Sequence, residues 1–260
     1  MLFFGMFLLF FAVSEVLNLV VGLHATTIGA EILAVLGSAV AYRKIVGDSA
    51  ADWPSLRSIG AGPVALLVLA LTCVVLALTA NGVVALVIEV VPGMQEIAKI
   101  YEEIMRELLF DATGLERVLG IISIVVFAPV CEEMLFRGTI LQEQRKSEAF
   151  TAAVIINGFL FSLLHMSPVA FLSLWAVGAF FAHLTLRSES MLLPILAHAM
   201  FNAFNGVLLP EIAPQLAESE APWPVRTLVL TLLVLVPVTA GLWALTTRLV
   251  RGGNEEEADT

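Results

Sequence analysis

Between Gly62 and Val91 the chain runs for about thirty residues with almost no charge, and stretches of the same character recur along its length. A run of this kind is long enough to cross a hydrocarbon core of about 30 Å as a helix. In lipid every backbone N–H and C=O must be satisfied internally, so such runs fold as helices. The expected fold class is all-α, a polytopic membrane protein with about eight transmembrane helices. Composition agrees, with 59% hydrophobic residues, only 14% charged residues and a mean hydropathy of +0.96. A soluble globular chain has far more charge.

The expected spans lie at about 1–23, 27–45, 62–91, 115–146, 149–165, 168–186, 190–208 and 226–250. The first lacks a basic leader and a small-residue cleavage site, so it reads as a retained helix, with Glu15 as a packing or interfacial acid. In the second, Gly37 and Ala41 stand four apart and would allow close helix contact. Trp53, Pro54 and Arg57 suit an interfacial connection. In the segment 95–110, Ile97, Ile100, Ile104 and Leu108 recur at helical spacing among Glu and Lys, as in an amphipathic helix lying on a membrane, gating a cavity or simply connecting two spans. The whole chain, 1–260, reads as one membrane domain without internal repeats, and its acidic end, 251–260, as a disordered tail.

The net charge is -10, and no basic stripe suggests nucleic acid as a partner. Connections after alternate spans hold Arg43, Lys44, Arg57, Arg145, Lys146, Arg187, Arg248 and Arg251. The others hold Lys99, Arg106, Arg117 and Arg226, mostly among acids. Both termini are therefore expected in the cytoplasm. The residue usage suggests a prokaryote and hence its inner (plasma) membrane. Cys73 and Cys131 both sit in apolar helices, where a disulfide framework is not expected.

Against this background, Cys131-Glu132-Glu133-Met134-Leu135-Phe136-Arg137-Gly138 stands out, because ionisable groups within hydrocarbon are costly and mark function by default. Glu133 and Arg137 are four apart and can pair on one helix face. Glu132 is rotated by about 100° and can face another neighbour. Phe161 and His165 share a face, and so do His198 and Asn202. The helices carrying Glu132 and His165 form a hairpin turning near Ser147, and the two residues lie roughly 22 and 27 Å from that turn. Their encounter is therefore reasonable. His198, nine residues after Glu189, reaches the same level only if the helix of Glu132 projects past the bilayer. Pro129 removes a backbone donor just before the acidic pair, and the freed carbonyl needs a partner from protein or water.

These residue types suit hydrolysis. A desolvated carboxylate is a competent general base towards water. One imidazole can orient that water or carry its proton, and a second imidazole with an amide can donate to an oxyanion. Glu132, His165, His198 and Asn202 can fill these roles, with Glu133 fixed by Arg137. Glu132, His165 and His198 could equally be zinc ligands, although they would come from three separate helices. Phe161 reads as a packing wall, His183 and Asn205 as packing residues, His24 as interfacial, Cys131 as a small buried residue and Asn157 as a supporting candidate.

The segments APVCEEMLFRG, FSLLH and HAMFN resemble, in order and spacing, the three motifs of the CPBP family of intramembrane proteases, also called the CAAX-protease and bacteriocin-processing or Abi family. The family pattern Glu-Glu-x-x-x-Arg, Phe-x-x-x-His and His-x-x-x-Asn/Asp falls on Glu132, Glu133 and Arg137, on Phe161 and His165, and on His198 and Asn202. The resemblance spans about 115–208, the family-like catalytic core. It implies an eight-helix fold with an intramembrane cavity and an endopeptidase acting on a membrane-associated protein or peptide, lipidated substrates included. Family members have been interpreted both as metalloproteases and as glutamate-dependent, metal-free proteases. The second view matches the roles above, so no cofactor is favoured and zinc is the alternative. Rival readings are a proton-coupled transporter, for which repeated halves with broken helices would be expected, and a catalytically silent scaffold.

Overall fold

A computed structural model describes residues 23–46, 62–213 and 223–250, with scattered positions before residue 23. Glu15, the 53–57 interface segment and the acidic tail lie outside the described residues. From residue 23 on, the described residues form eight helical stretches: α1 over 23–46, α2 Pro63–Val90, α3 Met94–Met105, α4 Gly114–Gln144, α5 Phe150–Leu164, α6 Phe171–Ser188, α7 Leu192–Ile212 and α8 Val225–Leu249. Five of them (α2, α4, α6, α7 and α8) are long and apolar enough to cross a membrane, and α5 is a shorter apolar helix. The all-α, multi-pass class therefore holds. The expected count of about eight spans is reached only for these five by length and hydropathy.

The chain packs as two tight helix pairs joined by shared neighbours. α5 lies along α6, and α2 lies along α8, with α7 and α6 against α2. The α2–α8 seam carries two threonine pairs, Thr72 with Thr246 and Thr79 with Thr239, each 2.7 Å between hydroxyl oxygens. Lipid is as apolar as leucine, so packing of small residues and hydrogen bonds between helices hold such a bundle together. The outer face of α8 exposes Leu230, Leu233, Val234 and Val236, as a lipid-facing surface does.

The tightest crossing is at α5 and α6, not at Gly37. A side chain at Gly37 would meet only the Ile32 carbonyl of its own helix, at 3.5 Å. At Gly158, by contrast, a Cβ would stand 2.6 Å from the Ala179 nitrogen and 2.7 Å from the Trp175 oxygen. Only glycine lets these backbones approach so closely. Gly158→Ala should therefore force α5 and α6 apart and cost about 1–3 kcal/mol. Thermal unfolding in detergent checks this; an unchanged midpoint would mean that the crossing yields without cost.

The amphipathic segment forms as α3 and continues through a π-helical turn, Arg106–Phe110. Ile100 and Ile104 are exposed, whereas Ala98 is buried. Ile100 and Ile104 thus face outward, the arrangement that suits a membrane surface. The opposite side is tethered: the Tyr101 hydroxyl donates to the Met166 carbonyl at 2.5 Å.

Candidate active site

The site is built around α4, whose helix is interrupted twice. A π-helical turn, Ser123–Phe127, precedes the acidic pair, and a second, Phe136–Ile140, follows it. The first has a clear origin. In such a turn the amide of residue i reaches the carbonyl of i−5, as the Ala128 amide does with Ser123. The next amide in line, facing Ile124, would be that of Pro129, which has no N–H. The orphaned Ile124 carbonyl is taken instead by Asn202 Nδ2 of α7, at 2.9 Å. Proline, π-turn and asparagine thus form one device that ties α7 to α4.

The second π-turn loosens carbonyls that side chains then collect. Asn157 Nδ2 donates to the Phe136 carbonyl at 3.1 Å, and Arg43 Nη1 of α1 donates to the Gly138 carbonyl at 2.6 Å. Asn157 is fully buried and also reaches Gln144, a supporting role like the one expected of it.

Glu132 and Glu133 are both buried but meet different partners. Glu133 Oε1 accepts from Arg137 Nη1 at 3.0 Å and contacts His198 Nδ1 at 2.9 Å. Arg137 is completely buried, donates Nη2 to the Gly178 carbonyl at 2.7 Å, and lies 4.7 Å from the centre of the Phe161 ring. The close α5–α6 crossing brings Gly178 and Phe161 together here. Phe161 is a wall in the literal sense, with the rings of His165 and His198 at 4.7 and 5.6 Å from its own.

Glu132 faces His165, with Oε2 and Nε2 3.9 Å apart. His165 Nδ1 lies 2.9 Å from the Phe161 carbonyl, which can only accept. Nδ1 therefore carries the hydrogen, and the neutral ring turns the lone pair of Nε2 towards Glu132. Two acceptors 3.9 Å apart do not bond each other. A water about 2.8 Å from each could give one O–H to each. Glu132 Oε2 is buried without a protein hydrogen-bond partner, as such a place requires.

Glu132, Glu133, Arg137, Phe161, His165 and His198 thus come together on α4, α5 and α7, and α4 is longer than a hydrocarbon core of about 30 Å is thick. Its 31 residues span about 46 Å. The Glu133–His198 contact was not foreseen from spacing. It fixes the imidazole and turns Nε2 away from the acid. Asn202 spends one N–H on Ile124, leaving the second N–H of its amide. His183 is satisfied elsewhere, by Trp243 at 3.0 Å, and Asn205 accepts from Asn81. His198 Nδ1 is taken by Glu133, and among the described residues no three His, Cys, Asp or Glu side chains group as ligands.

One acid escaped the sequence reading. Glu31, in α1, is buried, and the turn it opens packs on the α4 segment that carries Glu132. The signal was available, since a lone acid in an apolar span is itself a functional flag.

Fold and site together define a multi-pass helical membrane protein with a buried carboxylate–imidazole centre. Residues 114–204 match the family described as "Type II CAAX prenyl endopeptidase Rce1-like". This stretch carries all three motifs. The chain is also similar to a Bacillus subtilis (strain 168) protein named "Putative membrane peptidase YdiL", with 31% identity over 96 residues. That alignment covers 37% of this chain and 38% of the relative, so the chain spans well under half of that protein's length. No solved structure gives a significant match.

Proposed function

We propose that this chain is an intramembrane endopeptidase that hydrolyses a peptide bond in a membrane-associated protein or peptide. The observation that carries this reading is a pair of acceptors, buried Glu132 Oε2 and half-buried His165 Nε2, 3.9 Å apart on two different helices. Glu132 takes a proton from a water that His165 Nε2 helps to orient, and the water oxygen bonds the scissile carbonyl carbon; Glu132 then gives the proton, by way of His165 Nε2, to the amide nitrogen as the C–N bond breaks. The new oxyanion is met by the Nε2–H of His198, as the imidazolium that donates its Nδ1–H to the Glu133 carboxylate, and by the second N–H of Asn202, whose first is held by Ile124. A base working out of water needs no metal in this scheme.

The family description names a CAAX prenyl endopeptidase, so prenylated C-terminal peptides are the first substrates to test, beside unprenylated membrane-anchored ones. Purified protein in lipid nanodiscs should release a new amino terminus, read by mass spectrometry. Activity is expected to survive strong chelators. Loss on chelation with recovery on adding zinc would replace the glutamate scheme by a metal-assisted one.

A further inference from the structure

Glu31 opens a π-helical turn, Glu31–Leu36, inside α1, and this turn packs on the α4 segment Ala128–Leu135 that carries Glu132. Isolated π-turns within helices recur at functional sites. Glu31 is only 8% exposed and Glu132 6%, and the Oε2 atom of each is buried with no hydrogen-bond partner. The guanidinium of Arg137 is engaged by Glu133 and Gly178. An acid held this way in an apolar helix costs free energy and supports no visible part of the packing.

Two neighbouring carboxyls in a low-dielectric site do not both ionise; they hold one proton between them. Glu132 shares its helix with Arg137 and faces His165, whereas Glu31 packs behind it on α1; the negative charge is therefore assigned to Glu132 and the proton to Glu31. No direct bond joins the two, but one water with polar partners on both sides can link them.

We propose that Glu31 is a positioning residue of the same site, a neutral donor that acts through one water to hold the Glu132 carboxylate ionised and correctly turned. This inference rests on the protease reading above. It extends the water-activating group to a helix outside the matched segment 114–204.

The test uses the full chain in nanodiscs with a peptide that the wild type cleaves. Glu31→Met keeps the length of the side chain but removes the donor. It should lower kcat at least about tenfold with KM within about twofold. Its unfolding temperature should stay the same or rise, since an apolar group replaces a buried acid. Glu31→Gln, which restores a neutral donor, should recover most of the lost rate. Wild-type kcat in Glu31→Met overturns the proposal. So does a rate loss accompanied by a lower unfolding temperature, or a failure of Glu31→Gln to rescue. A Glu132→Gln arm separates the two layers. If Glu132→Gln is dead and Glu31→Met is fully active, only the role of Glu31 falls. If Glu132→Gln cleaves like wild type, the protease reading falls and takes this inference with it.

Discussion

Glu132→Gln should abolish cleavage, by about 10²–10⁴-fold, while leaving the fold intact. The amide has nearly the shape of the acid but cannot take a proton from water. Stability should hold because Glu132 has no cation as a direct partner, and its Oε2 bonds nothing in the protein. Removing a charge that burial disfavours costs little and can even stabilise. The neighbouring Glu133→Gln should behave in the opposite way. It breaks the bonds to Arg137 and His198, at 3.0 and 2.9 Å, so its first effect is on folding. Adjacent, chemically identical residues are thus expected to separate: one variant folds without cleaving, the other folds poorly. Rates against a cleaved peptide and unfolding midpoints of both variants decide it. Retained proteolysis in Glu132→Gln would remove the base from the scheme.

That separation was partly legible in the sequence. The i, i+4 spacing announced the Glu133–Arg137 pair, and helix lengths put Glu132 and His165 at similar depth. Pro129 announced an orphaned carbonyl without saying which side chain would collect it. The answer, Asn202 on Ile124, depends on the shift from i−4 to i−5 pairing in the π-turn, and hydrophobic periodicity carries no trace of that shift. The Glu133–His198 contact was hidden for a similar reason. It depends on how α7 is set against α4, which spacing within either helix does not determine. Close approach was also misplaced. Small residues four apart occur at Gly37 and Ala41, yet the intimate crossing uses Gly158 and Gly178 on two different helices; each of these also has a small residue four on, Ser162 and Ala182, so the pattern alone does not single out the crossing. Amphipathic α3, by contrast, was readable because its signal is local.

Arg137→Met should be the most destabilising change in the site, by about 3–5 kcal/mol, because it leaves the Glu133 carboxylate buried without its guanidinium. Arg137 is wholly enclosed. It bonds Glu133 on its own helix and the Gly178 carbonyl on α6, and its charge lies over the rings of Phe161 and Phe181 at 4.7 and 5.5 Å. Four helices are therefore linked through one side chain: α4 itself, α5 by Phe161, α6 by Gly178 and Phe181, and α7 by way of Glu133 and His198. Lysine is no substitute, since a single ammonium cannot send separate N–H groups to Glu133 and Gly178 in the fixed geometry of the fork. The double variant Arg137→Met/Glu133→Leu should recover much of the lost stability, because a buried ion pair replaced by apolar groups is often neutral or better. It should not recover cleavage, because His198 has then lost the acid that orients it. Unfolding midpoints of the single and double variants, with cleavage measured beside them, test both halves. A single variant as stable as wild type would show that Glu133 finds another partner. A double variant that cleaves would show that the orientation of His198 does not matter for the reaction.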